Sequence, residues 1–184
     1  MSDARVRTGP SPRILIAGLG NELCSDDGLG VHACRRLGPR VAALGAEVLA
    51  VAEVGTAVGD ALHLLEWADH LLIIDAMRAG GPAGSIYLAE PADVEEEGRT
   101  SLHQLGLLGA LAMVELERTH GRAPSHGSSG SSGWERPQVR ILGVEPASLS
   151  LGLELSPAVA AALPRVVAHA WELVDGWLAA AADV

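Results

Sequence analysis

The chain has 184 residues, 48% of them hydrophobic, and a formal net charge of −10 at pH 7. That length and apolar share suit one domain around a single core. The acidic balance, with no dense basic cluster to track a phosphate backbone, argues against nucleic acid as a partner. All thirteen basic side chains are arginine, which removes Schiff-base chemistry, lysine general bases and P-loop phosphate binding. No apolar run approaches the roughly 20 residues a membrane span needs, so no membrane partner is expected. The polar stretch 1–12 reads as a flexible tail with no signal-peptide core, and a cytoplasmic location follows. Cys24 and Cys34 are too few for a four-cysteine zinc site. A disulfide is not expected in that compartment, and both read as packing residues.

In chain order, Arg13 to Gly18 is a short apolar run ending in glycine, the pattern of a buried parallel strand. Gly28 to Leu37 reads as a helix closed by Gly38-Pro39. Glu47 to Val54 is a second strand, Thr56 to Ala68 a second helix, His70 to Asp75 a third strand and Gly84 to Leu88 a fourth. Thr100 to His120 carries a strong helix signal, with Ser101 at the N-cap, Gln104 at N3, and apolar residues at Leu105, Leu108, Ala112 and Leu116. Gly106 and Gly109 are poor helix formers and read as places where this helix lies close to the sheet. Residues 121–137 include the tract Gly127 to Gly133 and read as a flexible loop. Val139 to Val144 is the last strand. Ser156-Pro157 opens a final helix through about Ala180, with Pro164 expected to kink or restart it. Alternating strands and helices predict an α/β three-layer sandwich, a twisted, mostly parallel sheet flanked by helices on both faces, spanning 13–180 as one domain. Ligands of such folds sit beyond the carboxyl ends of the strands, where strand order reverses.

The loop from Gly18 to Gly30 reads GLGNELCSDDGLG. Its first glycines suggest a dinucleotide fingerprint, but Leu23 replaces the third, and Glu22, Asp26 and Asp27 would oppose a pyrophosphate. Asp26 or Asp27 could simply cap the next helix, the favoured reading for Asp26. Asp75 ends a strand, where a carboxylate either caps a turn or points into the crevice. His103 sits at N2 of a helix, where the positive end of the dipole favours the uncharged ring that binds metals. Asp27, Asp75 and His103 all follow predicted strands. Two oxygens and one nitrogen, with positions open to water or substrate, suit a divalent transition metal. The chain contains neither HExxH nor GxSxG.

These stretches resemble the NiFe-hydrogenase maturation endopeptidases. The resemblance runs through Gly18-Leu-Gly-Asn21, Asp26-Asp27-Gly28-Leu-Gly30, Gly55-Thr56, Ile73-Ile74-Asp75-Ala76, Ser101 to Leu107, Gly143-Val-Glu-Pro146 and Leu155-Ser-Pro157, in family order. It implies a doubly wound domain that removes a short C-terminal extension from a hydrogenase large-subunit precursor after nickel insertion. Carried over by motif position, the metal-binding residues are Asp27, Asp75 and His103, acting in catalysis through the metal with no general base assigned. The metal implied is Ni2+ supplied by the substrate, which Zn2+ or Cd2+ could replace in a crystal. Gly20, Asn21, Asp26, Gly55 and Thr56 are candidate substrate-binding residues, although a helix N-cap explains Thr56 equally well. Some members have Glu where this chain has Asp27, and the Gly127 to Gly133 tract resembles an insertion. A monomer is expected. The alternatives are a non-catalytic metal-binding module or another hydrolase on a related fold.

Overall fold

The computed structural model describes residues 12–44, 47–96, 102–119 and 136–181. Five strands form one sheet: β1 (Ile14–Leu19), β2 (Leu49–Gly55), β3 (His70–Ala76), β4 (Ile86–Ala89) and β5 (Gln138–Val144). Their spatial order is β2-β1-β3-β5-β4. Every pairing is parallel except that of β4 with β5. The helices are α1 (Leu29–Leu44), α2 (Leu62–Trp67), α3 (Pro91–Glu96), α4 (Leu102–Thr119) and α5 (Pro157–Ala180). Single 3-10 turns over Ser25–Gly28 and Val58–Ala61 precede α1 and α2.

The central strands are apolar through most of their length because both faces are covered. Ile14 and Ile16 of β1, Leu72 and Ile74 of β3 and Leu142 and Val144 of β5 pack against α1 and α5. The alternating residues Leu15, Ala17, Leu71, Ile73, Val139 and Ile141 pack on the other side with α2 and α4. This period-2 division produces the expected three layers. Among the described residues no helix is long and apolar enough to cross a membrane.

Several local expectations need correction. Gly38-Pro39 does not close α1, which runs on to Leu44 with Pro39 inside it. Pro39 is exposed while Val41 is buried, so apolar contact carries the helix past a proline that faces water. Pro164, likewise exposed, does not interrupt α5. The second helix does not begin at Thr56: a 3-10 turn intervenes and α2 starts only at Leu62. The short α3 was not expected. It begins at a proline in the first helical position, and its Asp93 carboxylate accepts from the Glu90 N–H at 2.8 Å.

The buried face of α4 is also shifted from the expected one. Leu107, Leu108, Ala110, Leu111 and Val114 are buried, whereas Ala112 and Leu116 are exposed. Gly106 and Gly109 are exposed too and do not touch the sheet. A Cβ at Gly106 would meet only a Val58 methyl at 3.6 Å, and one at Gly109 would meet nothing within 4 Å. Gly109→Ala therefore gains helix propensity without a clash. It should stabilise the protein by about 0.5–1 kcal/mol, read as a rise in the urea midpoint. Ser101, Leu105's side chain, the tail through residue 11 and the loop 121–135 lie outside the described residues.

Candidate metal centre

Strand order reverses at β1, whose chain neighbours β2 and β3 lie on opposite sides of it. The crevice at the carboxyl ends of β1 and β3 is thus the place where such a fold presents ligands. Three loops feed it: β1 leads into the 3-10 turn carrying Asp27, β3 carries Asp75 one residue from its end, and α4 presents His103 as its second residue. One potential ligand atom from each of Asp27, Asp75 and His103 lies within 4.8 Å of the others.

The crevice is held open by backbone geometry. Gly20 adopts φ +109°, and a Cβ there would fall 1.7 Å from the Asp27 carbonyl oxygen and 3.6 Å from Asp75 Oδ1. Only glycine allows β1 to turn this close beneath both acids. The Gly20 N–H donates to the Gly55 carbonyl at 3.1 Å, which ties the loop after β1 to that after β2.

Each ligand is oriented. The Asn21 N–H donates to Asp27 Oδ2 at 2.9 Å, and Asp75 Oδ1 accepts from the Ala76 N–H at 2.9 Å. Asp75 is fully buried, whereas the side chains of His103 and Asp27 retain 22% and 17% exposure, enough for access from solvent. His103 Nε2 stands 3.9 Å from Asp27 Oδ2, beyond hydrogen-bond reach. Two ligand atoms bound to one cation at about 2.1 Å can be at most about 4.2 Å apart, so this gap suits a shared ion. The full 4.8 Å spread asks only for a modest side-chain rotation. His103 Nδ1 is buried without a hydrogen-bond partner, so nothing among the described residues draws the ring away from the acids.

Beside the trio, Gly20, Asn21, Leu23, Val31, Gly55 and Thr56 line a cavity of about 260 Å³ whose rim includes Glu22 and Glu53. Arg35 steadies that rim through Nε to Glu53 at 2.9 Å and Nη2 to Glu22 at 3.0 Å. Gly20, Asn21, Gly55 and Thr56 are therefore brought together. Thr56 is not a helix N-cap, since Ala57 holds that position before the 3-10 turn. A larger hollow of about 440 Å³ lies at the amino end of β5, where Arg140 and Glu90 pair at 2.7 Å, away from the trio.

Asp26 departs from both readings made of it. It is fully buried. Its Oδ2 accepts from the N–H groups of Ala147 and Ser148 at 2.8 and 3.0 Å, and its Oδ1 from that of Ser156 at 2.6 Å. It neither caps the following helix nor faces the cavity. It pins the segment after β5 against the loop after β1. Cys34 is a packing residue, and burial pushes its thiol up to about 12, so it is no nucleophile at neutral pH.

Sequence reasoning missed Glu145, visible beforehand only as part of the stretch Gly143 to Pro146. It is 8% exposed, and its carboxylate accepts from the Ala79 N–H at 2.7 Å, the Gly81 N–H at 3.3 Å and the Tyr87 hydroxyl at 3.1 Å. Burial alone would raise its pKa, but these hydrogen bonds outweigh burial and hold it below the ordinary 4.5. A depressed folded-state value means that the stabilisation is present above 4.5 and fades as pH falls through the lower folded value. Glu145→Gln should therefore be less stable than the native protein at neutral pH. The difference in denaturant midpoint should shrink on acidification below pH 4.5.

A family model described as hydrogenase maturation protease matches residues 35–123. Hydrogenase expression/formation protein HupD of Rhodobacter capsulatus is 30% identical over 169 residues, covering 90% of this chain and 72% of that protein. The hydrogenase 2 maturation protease of Escherichia coli K12 is 29% identical, covering 85% of this chain and 89% of its own length. Among solved structures, the hydrogenase maturating endopeptidase HybD from E. coli superposes with a TM-score of 0.69 at 25% identity, covering 89% of this chain and 93% of that one. The NiFe-hydrogenase maturation protease HybD from Thermococcus kodakarensis gives a TM-score of 0.68 at 25% identity, covering 88% and 98%.

Proposed function

The chain belongs to the hydrogenase maturation protease family and is an endopeptidase, and from that premise we propose that it removes the C-terminal extension of a nickel-loaded NiFe-hydrogenase large-subunit precursor. The observation that carries this reading is the convergence of Asp27, Asp75 and His103 within 4.8 Å at the sheet's switch point. The nickel is part of the substrate, held by the precursor and presented to the trio. A site of two carboxylates and one imidazole, with no thiolate, has modest intrinsic affinity for nickel. It therefore engages a metal already carried by another chain more readily than it strips one from solution. An ion held there would polarise the scissile carbonyl or activate a water.

The chain's own residues do the positioning. Asp27 and Asp75 supply negative charge to the ion, and the Asn21 N–H fixes the orientation of Asp27. His103 contributes its ring nitrogen from the start of a helix rooted in the core. The cavity bounded by Gly20, Asn21, Gly55 and Thr56 receives the peptide next to the metal, so that the scissile bond is held within reach. The protein works in the cytoplasm as a monomer on this reading. The test is to incubate it with nickel-loaded and nickel-free precursor and follow loss of the extension by mass. Cleavage of the loaded form alone is expected; equal cleavage of both would remove the nickel from the account.

A further inference from the structure

Leu23, Leu151 and Leu153 are 59%, 88% and 69% exposed, yet they stand on a rigidly tied frame. Cys24 and Gly152 form a parallel bridge. The Gly152 N–H donates to the Leu23 carbonyl at 3.0 Å and the Ser25 N–H to the Gly152 carbonyl at 2.7 Å. The Ser25 hydroxyl donates to the Glu154 carbonyl at 2.9 Å, and Asp26 clamps both ends of the segment through Ala147, Ser148 and Ser156. The bridge sets Cys24 beside Gly152, so Leu23 in one segment and Leu151 and Leu153 in the other flank a single backbone junction. These bonds hold in place the backbone that carries the three exposed leucines, so less ordering is left to be lost when a partner binds.

The patch runs directly into the substrate site. Leu23 is also a wall of the 260 Å³ cavity. Its N–H donates to Asn21 Oδ1 at 3.0 Å, and the Asn21 N–H in turn donates to Asp27 Oδ2 at 2.9 Å. A tail that enters the cavity meets Leu23 as one of its walls. A second copy of this protein suits the patch poorly. It carries the same charge of −10, which opposes self-association, and by covering Leu23 it would obstruct the cavity.

We propose that Leu23, Leu151 and Leu153 form the docking surface for an apolar stretch of the hydrogenase precursor flanking its C-terminal extension, so that the body of the substrate is gripped beside the cavity that receives its tail. The inference rests on the processing reaction proposed above. The test uses the double variant Leu151→Ser/Leu153→Ser, with Leu44→Ser as control, since Leu44 is 56% exposed at the far end of α1. Initial rates are measured over a range of nickel-loaded precursor, with melting temperature and sedimentation recorded in parallel. KM should rise at least tenfold in the double variant with kcat changed less than twofold, while Leu44→Ser matches the native protein. A KM within twofold of native, an equal rise in Leu44→Ser, or a native dimer that the double variant breaks would each overturn the docking surface. Should the native protein fail to cut the loaded precursor at all, the processing reaction itself falls; cutting with an unmoved KM sinks the docking surface alone.

Discussion

Replacing His103 by alanine, or Asp27 by asparagine, should reduce removal of the C-terminal extension by about 10²–10³-fold or more, the size of losing one preorganised electrostatic contact in a catalytic site, without unfolding the protein. The two effects separate because neither His103 nor Asp27 is part of the buried core. His103 and Asp27 keep side-chain exposures of 22% and 17%, and the His103 Nδ1 has no partner to lose. Asp27→Asn still accepts the Asn21 N–H through its amide oxygen. Its melting temperature should therefore stay close to that of the native protein. Gel-shift processing assays and a thermal melt on the same samples measure both quantities. Full cleavage by either variant removes that residue from the reaction.

The opposite pattern is expected one residue away. Asp26→Ala should cost on the order of 3–5 kcal/mol of stability, because three half-buried N–H groups lose one buried, charged acceptor at once. The Ala147, Ser148 and Ser156 amides have these bonds at 2.6–3.0 Å. Their loss loosens the segment between β5 and α5 from the loop that carries Asp27, leaving the backbone bonds of Ser25 and Gly152 to hold it. A typical domain has only about 5–15 kcal/mol in total, so the variant should melt much earlier and lose proteolytic activity through misplacement of Asp27. Urea denaturation distinguishes this from a ligand substitution: the midpoint falls for Asp26→Ala and holds for Asp27→Asn. An Asp26→Ala protein of native stability would show that the clamp contributes little.

The adjacent acids Asp26 and Asp27 show what the sequence could and could not reveal. Asp27 and Asp75 could be placed near one another from sequence because each lies at or just beyond the carboxyl end of a parallel strand, where a doubly wound sheet gathers its ligand residues. His103 follows the antiparallel β4 and α3 and was reached through its place near the start of α4 and the family motif. The apolar runs of β1, β3 and β5 announced that topology by themselves. The role of Asp26 was hidden because its partners lie 121–130 positions away, and the pattern around Ser156 marks only the start of a helix. Local reasoning offered a helix cap, and a distant clamp uses the same carboxylate chemistry. Glu145 escaped for the same reason, since its amide partners are 64–66 residues distant. Thr56 was ambiguous until the turn at Val58–Ala61 replaced the helix start expected there. The buried stripe of α4 was misplaced because Leu105 to Leu111 is apolar nearly throughout. Periodicity there has no contrast to mark which face meets the sheet.

The account turns on one cation being shared by side chains from a turn, a strand and a helix. Crystals soaked in nickel or cadmium salt and measured at the metal's absorption edge test this directly. An anomalous peak should stand about 2.0–2.4 Å from His103 Nε2 and from one oxygen each of Asp27 and Asp75, and be absent in Asp27→Asn crystals. No peak at that position under saturating metal, or a peak of equal height in the variant, would contradict it.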